Sequence, residues 1–380
     1  MRTRTIPAAA AAAALLVAGA TVTATRATAA TGSALAASAR PAAAATSAAG
    51  AARRVTFHVF AGGAVPGDPR VDLQSFYPRV SVIHVGDRIE LDFRGLHTAS
   101  LVPPGMPVPQ PVIPASGTYP PVNDAARHPF WWGGVAPRLQ LNAAVALPAG
   151  GTTFDGHHFV NSGLPAGPHF HVTYTFTRTG RYTIRCLLHR GMTGTIVVKP
   201  RAAVIPSPAA QQRTGAAESA VDAARALTLD QILTSRSHRF RHRVIVGDGR
   251  EHFSLTAFYP RHLQVRVGDT VTFRLRGMNE IHTVTFGPRG YVEAIAARLF
   301  PPPPAPLILD PVGALPSEPP GAPVALTRIT HGNGFLTSGI LADPGMTGPH
   351  SFTVRFTRPG RYRLDCLIHE GMEATITVRR

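Results

Sequence analysis

The chain has 380 residues, too many for one ordinary hydrophobic core, so two domains are expected. Hydrophobic residues make up 44% and charged residues 16%, which favours globular structure over disorder for the main body. The formal net charge is +17, carried almost wholly by arginine; the charges are scattered through strand-like segments and form no basic stripe, which argues against a nucleic-acid binder.

At the N-terminus, Arg2 and Arg4 precede an apolar run over 8–20 that is too short and Ala-rich for a membrane span. With "ATA" at 27–29 as a cleavage site, residues 1–29 read as a secretory signal peptide, an uncleaved anchor being the alternative. Its removal leaves no membrane span and implies a secreted, extracytoplasmic protein of the cell envelope. Residues 30–52, mostly Ala, Ser, Thr and Gly, have nothing to bury and read as a disordered leader.

The rest repeats itself. "FYPRVSVIHVGDRIELDFRGLHTASLVP" begins at Phe76, and "FYPRHLQVRVGDTVTFRLRGMNEIHTVTFGP" begins 182 residues later at Phe258. The Val-Gly-Asp turns (85–87 and 267–269) and Arg-Gly pairs (94–95 and 276–277) coincide, after which the second copy has three extra residues before its His-Thr. The tails repeat too: "FTRTGRYTIRCLLHRGM" ends at Met192 and "FTRPGRYRLDCLIHEGM" at Met372.

"RIELDF" (88–93), "VTFRLR" (271–276), "VTYTFT" (172–177) and "FTVRFT" (352–357) alternate apolar and polar residues, the period of half-buried strands, with Gly-containing turns between strands. The expected fold is all-β: two tandem Greek-key β-sandwiches, 53–200 and 238–380. Each carries a long Pro-rich insert, about 103–156 and about 287–332, either an ordered lid or a loose excursion. The first insert holds "FWWGG" (130–134), which packs locally or docks a partner. The linker, 201–237, is expected to contain a short amphipathic helix with Ala217, Ala220, Val221, Ala224 and Leu227 on its apolar face.

The only two cysteines sit in "RCLLHRGM" (185–192) and "DCLIHEGM" (365–372). Period 2 places Tyr182, Ile184 and Cys186 on one strand face, and Tyr362, Leu364 and Cys366 on the equivalent one. The loop that follows can aim Cys186, His189 and Met192, or Cys366, His369 and Met372, at one point, with Gly191 or Gly371 allowing it to fold back. The repeat supplies a further histidine on another strand, His97 or His282, each directly before a Thr. Two His, one Cys and a weak Met form the type 1 (blue) copper set. The alternatives are zinc, which a Met ligand disfavours, copper in one site alone, motifs without metal, or a Cys186–Cys366 disulfide. His157, His158, His169 and His171 occur only in the first unit and read as surface residues, a second metal site being the sharper alternative.

Each unit resembles a cupredoxin of the plastocyanin and amicyanin kind. The resemblance rests on the upstream His, the "SG" pairs (162–163 and 338–339), F-T-x-x-G-R-Y (176–182 and 356–362) and C-x-x-H-x-x-M; it does not cover the inserts. It implies one copper per domain, cycling between Cu(I) and Cu(II), and His189 and His369 as exposed ports for electrons, flanked by a small docking patch of Leu187, Leu188, Leu367 and Ile368. Multicopper enzymes of this kind set a His beside the type 1 Cys; here the neighbours are Arg185 and Leu187, Asp365 and Leu367, which argues against an enzyme. The expected function is exported electron transfer with a redox protein partner, an acidic one or an anionic envelope polymer suiting the charge. The alternatives are an envelope copper buffer and a non-catalytic adhesion or structural sandwich.

Overall fold

The structure is a computed structural model and describes residues 54–380 apart from 168, 303–305 and 322. The expected signal peptide and leader lie outside the described residues. No helix among the described residues is long and apolar enough to cross a membrane.

The alternating segments form strands, and their apolar positions fill two sandwich cores. Ile89, Leu91 and Phe93 point inward from Arg88–Arg94, as do Val271, Phe273 and Leu275 around Thr270–Leu275. The smaller sheet of the first sandwich runs in the order Val80–His84, Thr193–Lys199, Gly180–Arg185, Ser100–Leu101, Val160–Asn161. That of the second runs His262–Arg266, Glu373–Arg379, Gly360–Asp365, Thr285–Phe286, Leu336–Thr337, the equivalent strands in the same order. Strands distant in sequence pair in parallel, as Thr193–Lys199 does with Val80–His84, so the chain crosses between sheets as a Greek key requires.

The two larger sheets are not separate. Asp68–Tyr77 pairs antiparallel with Phe253–Tyr259, with Leu73 opposite Phe253 and Val71 opposite Leu255, and one ten-stranded sheet runs through both sandwiches. Covered on both faces there, Phe253–Tyr259 is buried along its whole length.

The linker helix spans Pro208–Ser237, longer than its apolar spacing suggests, and is capped by the Ser207 hydroxyl accepting from the Ala210 amide at 3.2 Å. Its buried face is not the expected one. Ala217, Ala220, Val221 and Ala224 are exposed, whereas Gln211, Gly215, Asp222, Ala226, Asp230 and Leu233 face inward. The partners explain this. The Tyr77 hydroxyl donates to Asp222 at 2.8 Å and the Tyr259 hydroxyl to Asp230 at 2.6 Å, while Arg79 and Arg70 pair with the same two carboxylates. Tyr77 and Tyr259 are equivalent in the repeat, so one helix addresses both sandwiches through two carboxylates eight residues apart.

The described residues of the two inserts pack on each other. Val112–Thr118 pairs with Pro137–Leu141, and this hairpin meets the helix Arg289–Leu299 of the second insert in a third core. Phe130 and Trp132 stack inside it with ring centroids 5.3 Å apart. The Leu141 amide donates to the Leu307 carbonyl at 2.8 Å, and the Leu309 amide to the Leu139 carbonyl at 2.9 Å. The aromatic cluster is thus packing within the inserts, although Trp131 remains partly exposed.

Asp222→Ala leaves the Tyr77 hydroxyl and Arg79 without their buried acceptor; we expect a loss of about 3 kcal/mol, near the low end for breaking such a pair because Arg79 retains some water contact, measured as a lower urea midpoint.

Candidate metal centres

In the first sandwich, Cys186 follows the strand Gly180–Arg185 and Met192 precedes Thr193–Lys199. The turn between them closes on itself: the Cys186 amide donates to the Met192 carbonyl at 3.0 Å, and the Met192 amide to the His189 carbonyl at 2.9 Å. The second sandwich repeats both bonds, at 2.9 Å from Cys366 to Met372 and 3.2 Å from Met372 to His369. Each upstream His is tied to this turn by the Thr after it. The Thr98 amide donates to Cys186 Sγ at 3.4 Å and its hydroxyl accepts from the Leu187 amide at 2.7 Å. Thr283 does the same for Cys366 and Leu367, at 3.4 and 2.8 Å.

This framework brings the donor atoms together. His97 Nδ1 lies 2.9 Å from His189 Nδ1, and Cys186 Sγ lies 3.6 Å from His189 Nδ1. Cys366 Sγ lies 3.8 Å from His282 Nδ1 and 3.6 Å from His369 Nδ1. His97 and His282 are wholly buried, Met192 and Met372 lie in the same cores as their cysteines, and both thiols are free, so there is no Cys186–Cys366 disulfide. Atoms sharing one ion at about 2.0–2.3 Å stand roughly 3–4 Å from one another, so each group fits a single soft cation.

Electrostatics favour the same reading. Burial raises each thiol, but at Cys186 the charge and hydrogen bond of His189, then those of His97, hold it well below the ordinary thiol range. At Cys366, hydrogen bonds to His282 and His369 outweigh burial in the same way. A thiolate is the form that binds metal.

Two glycines that the sequence reading passed over make room for the upstream histidines. Gly62 has φ +81° and Gly247 φ +62°, at irregularities of the first strand of each sandwich, and a Cβ there would meet His97 Nε2 at 2.1 Å or His282 Nε2 at 2.3 Å. Only glycine suits both the backbone and the approach.

The downstream histidines are not the exposed ports the resemblance implies. His189 is only 8% exposed, and the two rings face each other across the seam between sandwiches. Between them lies Glu280, itself 5% exposed, with Oε1 3.4 Å from His189 Nε2 and Oε2 3.3 Å from His369 Nε2. Burial pushes its carboxyl up, but the charges of His189 and His369 outweigh that and hold it down to about 2. Gln74 of the first sandwich donates to Glu280 and, at 3.2 Å, to Asp72. The neighbouring Asn279 accepts from the Gly191 amide at 2.8 Å, and its own amide donates to Asp343 at 2.8 Å. Glu280 and Asn279 belong to the three extra residues of the second copy, the one sequence signal that pointed to them. Only half of the expected docking patch is buried: Leu187 and Leu367 are core residues, while Leu188 and Ile368 line a cleft of about 390 Å³ that reaches His189, His369 and Glu280.

The other histidines keep local partners. His158 sits 3.0 Å from Asp155, and His171 contacts the His169 carbonyl at 3.2 Å, both on the surface. His157 meets Arg178.

Each sandwich thus brings one cysteine and two histidines together, with a methionine buried in the same core. No family model and no curated protein matches the sequence. Among solved structures, the chain is similar to a Cu(I) form of an amicyanin mutant, with 17% identity over 38% of this chain and 89% of that one and a TM-score of 0.21. It is also similar to oxidised plastocyanin from the fern Dryopteris crassirhizoma, at 20% identity over 36% and 99% with a TM-score of 0.20. Dithionite-reduced auracyanin from Roseiflexus castenholzii is matched at 19% identity over 36% and 95%, with a TM-score of 0.23. The role of each residue rests on the distances above and not on these likenesses.

With both thiols held down, metal-free protein should show thiolate ultraviolet absorption at pH 7, below the ordinary thiol pKa of about 8.5. Cys186→Ser and Cys366→Ser should each remove about half of the signal.

Proposed function

We propose that the chain is an exported copper protein whose two type 1 centres carry electrons. His97, Cys186, His189 and Met192 hold one copper; His282, Cys366, His369 and Met372 hold the other. The observation that carries this reading is the convergence of one thiol and two imidazole nitrogens within 4.8 Å of one another in two separate cores, with each cysteine sulfur 3.6 Å from Nδ1 of the downstream histidine. Copper bound there supplies a one-electron Cu(I)/Cu(II) couple. The protein fixes the donors before the ion arrives: Thr98 and Thr283 hold the thiolates by backbone amides, and Gly62 and Gly247 let the buried imidazoles stand in place. Sulfur and imidazole donors favour copper over harder ions.

We read it as a carrier and not an enzyme, because Arg185, Leu187, Asp365 and Leu367 stand where a multicopper enzyme would join a second centre through histidine. The units are the product of an internal duplication, and the N-terminal segment directs export. Electrons reach His189 and His369 through the cleft, so a redox protein partner docks over its mouth, where Leu96 is 61% exposed. The +17 charge suits an acidic partner or an anionic envelope polymer. The burial of His189 and the partial burial of His369 favour a second reading, copper holding without a partner; failure of any donor to reduce the loaded protein would favour it.

Copper-loaded protein is expected to contain two coppers per chain and to absorb intensely in the visible through thiolate-to-copper charge transfer. Cys186→Ser and Cys366→Ser should each leave one copper and about half of the band. Loaded protein with both coppers and no such band would falsify the type 1 assignment. Gly62→Ala should displace His97 and disturb the first centre alone, seen as one altered paramagnetic-resonance signal beside one unchanged.

A further inference from the structure

The repeat is broken where Met278, Asn279 and Glu280 are added to the second copy, and the structure sends this addition across the seam. A histidine that offers Nδ1 to a metal keeps one outward N–H, at Nε2. Both downstream histidines aim that atom at the same carboxylate, His189 at Oε1 and His369 at Oε2, at 3.4 and 3.3 Å. A carboxylate has acceptor sites enough for two such donors. Its place is fixed from both sides: by Gln74 from the first sandwich, and through Asn279 by Asp343 and the Gly191 amide. A buried ion contacted at both ends transmits charge strongly, because little water screens it.

We propose that Glu280 joins the two metal centres into one redox-coupled pair, with electrons exchanged between them through His189, the carboxylate and His369. The proposal rests on the copper reading of both centres. In the step, one reduced centre gives up one electron and the oxidised centre gains it; no bond forms or breaks and no proton leaves the pair, since Glu280 faces both N–H groups throughout. The shared negative charge also makes each centre's potential depend on the other's oxidation state. Together the centres store two electrons, which can enter or leave singly by the cleft that reaches both rings.

The test uses the full chain loaded with copper. Glu280→Gln keeps the size but has one carbonyl acceptor and one amide donor, so it can accept from only one of the two rings. We expect both visible bands to persist, electron exchange in half-reduced protein to slow by about tenfold or more after a pulse of reductant, and each midpoint potential to match that of the Glu280→Gln chain that also carries Cys→Ser at the other centre. Both bands retained with exchange and midpoints unchanged would overturn the proposal. A measurement on the unaltered chain guards against a variant that fails to fold. Pulsed paramagnetic resonance of the doubly oxidised protein should give one copper–copper separation no longer than a His–carboxylate–His chain can span, and a longer one overturns the proposal. Absence of the visible band from the unaltered protein instead marks failure of the copper reading itself.

Discussion

Everything at the functional end of the molecule depends on one strand pairing. Asp68–Tyr77 and Phe253–Tyr259 join the larger sheets edge to edge, and that ladder sets the two sandwiches side by side. Asp72 and Gln74 lie on the shared strand itself, so the pairing that fuses the sheets also delivers groups to the seam beneath the histidines. Sheet hydrogen bonds fix register to a single residue. A seam built on them can hold a carboxylate between two rings with little play.

Two further contacts lock the arrangement from opposite sides. The long helix spans the joint: Asp222 meets Tyr77 and Arg79 of the first sandwich, and Asp230 meets Tyr259 of the second and Arg70 of the first. The inserts close the other side with a core to which both contribute, and Leu367 joins that core directly after Cys366. The cysteine loop of the second sandwich is therefore held by its own strands and by the insert packing. The loop of the first is held across the seam, with Gly191 bonded to Asn279 and Arg190 donating to the Gly345 carbonyl at 2.7 Å.

The strands were legible because their period is short and repeated: Ile89, Leu91 and Phe93 declare an inward face wherever they are met. The cysteine loop was legible because three donor residues lie within seven positions of sequence, and the repeat then pointed to His97 and His282. What escaped has a common cause. Apolar periodicity cannot see a helix face that is buried through carboxylates, so Asp222 and Asp230 gave no signal while Val221 fell on the expected apolar face. Edge pairing between sheets leaves no period either; the uninterrupted "FSLTAFY" over 253–259 was its only trace. Glu280 looked like one letter of a small insertion, because its meaning depends on a histidine 91 positions earlier in a different sandwich.

The shared ladder also bears on what half of this molecule would be. A lone sandwich cut from it would end in an open edge carrying Val71 and Leu73, or Phe253 and Leu255, with unpaired amides and carbonyls beside apolar side chains. Such an edge is a template for another strand, and the nearest match to the missing partner is a second copy of the half itself. The single chain thus has the geometry of a closed dimer whose subunits have been tied together. Tying them frees the two halves to differ, and the carboxylate at the seam is a difference that no symmetric pair could place singly off its own axis.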